Sequence, residues 1–175
     1  MCKGRLITRN GELPSYDGCK QIVRKARKVD AAAPVNPNSV EDLLIPNEYS
    51  EYQRQPGHIV PFLLFDSITD QNRAPRNRVL IFTTRRNLDF LLRSEEWFGD
   101  GTWDAPPPLF EQLYTIHGKI NGVVQPLVYA LLCNKREETY DYLLTQLMQL
   151  EPGLNPRHIV TDFELASINA FGTHC

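Results

Sequence analysis

Residues 97–103 read W-F-G-D-G-T-W, with one carboxylate, Asp100, between two glycines and among three aromatic residues. Asp-Gly is a common two-residue hairpin signal, because Gly accepts positive φ and Asp tolerates it better than most residues. From this stretch alone, a turn is the simpler reading. The alternative is a strand that carries Asp100 as a charge held for chemistry. The flanking sequence has to decide between them.

Downstream, Trp97–Asp104, Phe110–Ile116 and Val123–Leu132 read as three strands in close succession, the last two joined by the hairpin-like G-K-I-N-G. K-R-E-E-T-Y-D-Y-L-L-T-Q-L-M-Q-L then places Tyr140, Leu143, Leu144 and Leu147 on one stripe of an amphipathic helix. E-P-G-L-N-P ends that helix, 157–161 (R-H-I-V-T) is a short buried strand, and D-F-E-L-A-S-I-N-A-F opens another helix. The order from residue 97 is βββαβα. Three strands in a meander, a crossover helix and a fourth strand parallel to the first make a mixed α/β sheet with a right-handed crossover. That order matches the first half of a ribonuclease-H-like fold, and other α/β folds share it.

In such a sheet the first and fourth strands are neighbours. Asp100 lies on the first and Asp162 at the exit of the fourth, where open α/β sheets tend to hold ligands. Paired carboxylates suit Mg²⁺ or Mn²⁺, which take hard oxygen donors in octahedral geometry. A pair of such ions can activate a hydroxyl and stabilise the leaving oxygen of a phosphodiester. T-D-F-E at 161–164 has a competing reading: Thr161 with Glu164 fits a capping box, and acids suit the first turn of a helix. Glu164 is then a cap, and Asp162 can be a cap, a ligand or both.

Upstream, I-V-P-F-L-L-F (59–65) and R-V-L-I-F-T-T (78–84) read as strands. Thr84 caps a helix over 85–96 with Leu88, Leu91 and Leu92 at helical spacing. E-D-L-L-I-P-N-E-Y suggests a short helical turn stopped by Pro46, and D-A-A-A-P-V-N-P-N-S-V reads as linker. The 175 residues carry 19 Lys plus Arg against 21 Asp plus Glu, a formal charge of −2, which excludes binding nucleic acid by bulk charge. Local basic groups remain, at Arg24–Lys28 and loosely at Arg73, Arg76, Arg78, Arg85 and Arg86, with a solvated surface the simpler reading of both. The four cysteines form no CxxC pair, the longest apolar run is too short to span a bilayer, and the N-terminus lacks a signal-peptide core. An intracellular soluble protein with reduced thiols and no membrane partner is expected.

Three runs carry a family resemblance. E-E-W-F-G-D-G-T-W with Q-L-Y-T-I-H-G, P-L-V-Y-A-L-L-C-N-K-R-E-E-T-Y, and H-I-V-T-D-F-E-L-A-S-I-N-A together resemble the transposase domain of Mutator-like elements (MULE) over roughly residues 60–171. The resemblance implies a ribonuclease-H-like domain, a DNA partner, a nuclear location and metal-dependent strand cleavage and transfer. It puts Asp100 and Asp162 on the first two positions of an acidic triad, as catalytic residues and ligands of Mg²⁺ or Mn²⁺, and turns the reading of Asp100 from turn to site. The family's third acid, a glutamate on a later helix, and its G-C-x-F-H motif have no counterpart in 1–175. Trp103 and Cys133 stand where Phe and Pro are commoner.

Near the amino terminus, C-K-G-R-L-I-T-R-N-G resembles the latter part of a FLYWCH zinc finger, with Cys2 at a zinc-ligand position. Structural zinc wants four ligands, and only Cys2 and Cys19 offer themselves, so no zinc is expected. His117 and His158 read as strand residues. The expected organisation is a partial finger over 1–28, a linker over 29–57 and the N-terminal half of a transposase domain over 58–175. The expected function is that of a transposase-derived domain, truncated and inactive. The alternative is a non-catalytic module that binds nucleic acid, through Arg24–Lys28, or a protein at an exposed sheet edge.

Overall fold

Asn121 and Gly122 have φ of 50° and 79°, the left-handed pair that a two-residue hairpin requires. They join the two longest strands of the computed structural model, which describes residues 37–102, 106–162 and 164–174. The compact unit containing them begins at Pro37. Readings that fall on Cys2, Cys19, Arg24–Lys28 and the finger remnant lie outside the described residues, as do Trp103 and Cys175.

The elements run α1 (Asn47–Ser50), β1 (Glu51–Gln55), β2 (His58–Pro61), β3 (Leu63–Asp66), β4 (Val79–Phe82), α2 (Arg85–Leu92), β5 (Glu96–Thr102), β6 (Gln112–Ile120), β7 (Val123–Leu132), α3 (Glu137–Leu150), β8 (His158–Thr161) and α4 (Leu165–His174). β1 and β2 form a separate antiparallel hairpin. The other six strands form one sheet in the order β3-β4-β7-β6-β5-β8. Only β8 runs parallel to its neighbour, β5; the other pairs are antiparallel. The protein is a mixed α/β fold, and from β5 onward its order is βββαβα with the first and fourth of those strands adjacent.

Strand periodicity sends alternate residues to opposite faces. One face carries Val79, Ile81, Val128, Ala130, Leu132, Tyr114, Ile116 and Trp97, all buried in one cluster with Leu88 and Leu91 of α2, Tyr140, Leu143, Leu144 and Leu147 of α3, and Ala170 and Phe171 of α4. The amphipathic stripe read in α3 is thus its core face; each such side chain, fully buried, contributes about 1.5–3 kcal/mol. On the other face Leu80 packs with Val40 and Phe110, joined by Leu43, Ile45, Leu63, Phe82 and Leu131.

Several boundaries differ from the sequence reading. The run 59–65 is two strands in two sheets: β2 ends at Pro61, and β3 starts at Leu63. The helix capped by Thr84, whose hydroxyl accepts from the Asn87 amide at 3.1 Å, stops at Leu92 instead of 96. The strand expected over 110–116 runs Gln112–Ile120 instead. Residues 43–46 are not helical; Pro46 precedes a single turn at Asn47–Ser50. Residues 37–57, read as the end of a linker, carry β1 and supply Val40 to the core.

Arg78 explains that attachment and corrects its reading as solvated surface. It is 2% exposed. Its guanidinium bonds both carboxylate oxygens of Asp66, and its Nη1 donates to the carbonyls of Val40 and Leu43, each at 2.7 Å. A buried cation keeps its charge only when fully paired, and here the pairing ties segment 37–45 to the sheet.

Candidate metal centre

W-F-G-D-G-T-W is not a turn through residue 102: Asp100 sits in the interior of β5, opposite Thr115 of β6. The two glycines have a packing role. A Cβ on Gly99 would overlap the Tyr114 hydroxyl, and one on Gly101 would overlap the Gln112 amide. Both side chains come from β6 and pass beneath the strand on its helix-covered face. Asp100, between the glycines, faces the other way and is exposed.

The parallel register of β5 and β8 pairs Glu96 with His158, Trp97 with Ile159, Phe98 with Val160 and Gly99 with Thr161. One step beyond this register stand Asp100, within β5, and Asp162, the residue that follows β8. Neighbouring strands lie about 4.8 Å apart, so the two acids occupy adjacent positions at the carboxyl end of β8. No described residue hydrogen-bonds the Asp100 carboxylate. Asp162 is half-buried, and its Oδ1 accepts from the Thr161 hydroxyl at 3.3 Å.

Beneath the pair, on the helix side, lies a polar network. The Tyr114 hydroxyl is 2.7 Å from Ser167 Oγ and 3.4 Å from Thr161 Oγ1. Burial raises its pKa, and the charges of Asp162 and Glu164 add to the rise. The Tyr140 hydroxyl donates to Gln112 Oε1, whose Nε2 in turn donates to Glu164 at 3.3 Å. Burial, and then the nearby Glu164 carboxylate, push the Tyr140 pKa up. Glu164 is therefore held by the fold on the helix-covered side.

The capping box expected at Thr161 and Glu164 is replaced by this network. α4 starts at Leu165, three residues later than a cap at Thr161 would start it. The Thr161 hydroxyl is engaged with Tyr114, Ser167 and Asp162 instead. His117 and His158 lie in β6 and β8, with His117 Nδ1 3.3 Å from the Phe98 carbonyl. Of the supporting residues, Tyr140 was read only as part of the α3 stripe, and Tyr114, Gln112 and Ser167 were not singled out in the sequence. The signal for them was present in Gly99 and Gly101: glycine at alternate strand positions marks holes that neighbouring side chains fill.

Two hard oxygen donors on adjacent strands fit Mg²⁺ or Mn²⁺, which are commonly bound through one or two carboxylates with waters and substrate phosphates completing the shell. Among the described residues no three His, Cys, Asp or Glu side chains converge. Among the described residues, too, no helix is long and apolar enough to cross a membrane. Comparisons of the chain with models of protein families, with curated proteins and with solved structures found no match.

Proposed function

We propose that this chain is a ribonuclease-H-like, MULE-type transposase-derived domain in which Asp100 and Asp162 are the first two metal ligands of a DNA strand-cleaving and strand-transferring site. The observation that carries the reading is the β5/β8 register, which makes neighbours of two acids 62 positions apart in the chain. The family part of the reading rests on the resemblance carried by W-F-G-D-G-T-W and T-D-F-E. Asp100, exposed, and Asp162, at the strand exit, would hold Mg²⁺ or Mn²⁺, and the bound ion would supply Lewis-acid stabilisation of the phosphodiester oxygens. The Tyr114–Ser167–Thr161 network holds the backbone on which Asp162 stands.

Residues 1–175 contribute two of the family's three acidic positions. By themselves they bind the ion weakly and leave DNA uncut, because the chemistry depends on the positions of the ions. The experiment is Mn²⁺ binding by calorimetry beside a nicking assay on supercoiled DNA. Weak binding that vanishes in Asp100→Asn and in Asp162→Asn, without nicking, fits the proposal. Mn²⁺ binding unchanged in both variants sinks it. Nicking that both variants abolish would make the chain an active nuclease.

A further inference from the structure

We propose that a second site, a groove between the β1–β2 hairpin and the start of α2, binds single-stranded nucleic acid. The groove has a volume of about 960 Å³. Among the described residues its lining includes Arg54, Arg85 and Arg86 and no Asp or Glu, in a chain whose overall charge is −2. Arg85 is anchored by donating to the Leu150 carbonyl at 2.6 Å. Arg86 lies 5.3 Å over the Phe90 ring, an arrangement that leaves the N–H edge of its planar guanidinium available to an anion. Arg54 stands on β1, every residue of which is exposed.

Beside these cations the groove has a strip of rings. Tyr52, Phe62 and Tyr129 follow one another with centroid separations of 6.3 Å at each step. Tyr52 is 47% exposed although it is aromatic and on a strand. Cations that follow a backbone, interleaved with rings on which bases stack, are the two components of single-strand binding. A duplex, whose bases are already stacked, could use only the cations. An acidic peptide would leave the rings without flat partners.

One residue of the groove, Tyr129, shares a sheet face with Asp100. Phe82, Tyr129, Thr115 and Asp100 are opposite one another across β4, β7, β6 and β5, so all four share the face away from the helices. Tyr129 is two strands from Asp100, about 10 Å. A strand held in the groove would thus be led along this face to Asp100, a consequence that rests on the transposase reading; the binding itself does not.

The test is fluorescence anisotropy of a labelled fifteen-residue oligothymidine with the full chain, in EDTA, at several salt concentrations. Tyr52→Ala should weaken binding about tenfold. Arg54→Ala with Arg86→Ala should also weaken it and reduce the slope of log affinity against log salt by about 1.4, the value for two phosphates of a single strand. Both alter exposed or surface side chains, and thermal melting identifies a variant that has lost its fold. For such a variant, Arg54→Glu alone replaces it. The proposal is overturned if affinity is lost only when Arg24, Lys25, Arg27 and Lys28 are changed to Ala. It is also overturned if duplex DNA or polyglutamate competes as well as unlabelled oligothymidine. Because EDTA removes the metal, binding here can hold while the acid pair fails to take Mn²⁺, and the reverse.

Discussion

The two faces of β5 are used differently. Toward the helices, Gly99 and Gly101 leave room for Tyr114 and Gln112, and these are locked to Ser167, Tyr140 and Glu164. Away from the helices, Asp100 lies exposed one residue from each glycine. Stability is concentrated on the first face and the candidate chemistry on the second. A strand allows this because its side chains alternate, so a residue can be freed for function while both its neighbours are fixed by packing.

The contrast is sharpest where the open face is itself covered, beside β4. There Arg78 holds segment 37–45 through Asp66 and two carbonyls. Arg78→Leu leaves Asp66 and those carbonyls without their cation, and removing one partner of a buried pair costs about 3–5 kcal/mol. Urea unfolding followed by circular dichroism should show the largest loss of any change discussed here. A loss below 1 kcal/mol would mean that the segment is not held by this ion pair.

Gly99→Ala tests the locked face. The added methyl meets the Tyr114 hydroxyl, which is fixed by Ser167, so overpacking should cost about 1–3 kcal/mol. Gly101→Ala should cost at least as much, because its methyl meets the buried Gln112 amide, which Tyr140 and Glu164 hold in place. If both are tolerated without change in the unfolding midpoint, the glycines are not spacers.

Much of this arrangement could be read from the chain, and the parts that could not have physical causes. The order from Trp97 onward, the Asn121–Gly122 turn and the α3 stripe follow from local periodicity and turn chemistry. β1 was missed because E-Y-Q-R-Q is exposed at all five positions, which leaves no apolar alternation to detect. The split of 59–65 depends on a change of sheet between Pro61 and Leu63, and an apolar run looks the same in either sheet. Arg78 resembles its surface neighbours in sequence; only Asp66, twelve residues away, distinguishes it. The positions of Asp100 on β5 and of Asp162 just after β8 were legible from strand order, but the tyrosine network below them depends on contacts across 47 and 53 residues.

The network also predicts a response to alkali. Tyr114 and Tyr140 have raised pKa values in the fold, whereas an unfolded tyrosine ionises near pH 10. The folded chain therefore holds these protons more tightly. The stability this adds is fully present below about pH 10 and is lost as pH rises through the folded values. Tyr140→Phe should cost about 1 kcal/mol at pH 7 and flatten the fall in unfolding midpoint above pH 10. An alkaline slope identical to that of the unmodified chain would show that Tyr140 does not titrate with unfolding.

The smallest effect on stability is expected at Asp100. Its carboxylate is exposed and bonded by no described residue, so Asp100→Asn keeps the shape and should move stability by no more than about 0.5 kcal/mol. The same change should abolish Mn²⁺ binding, because the amide carries no charge for the ion. A marked gain in stability would instead indicate that Asp100 and Asp162 repel one another in the metal-free fold, a strain that placement for an ion would create. A marked loss would assign Asp100 to the packing of the strand, and the division between the two faces of β5 would fail at the residue on which it was drawn.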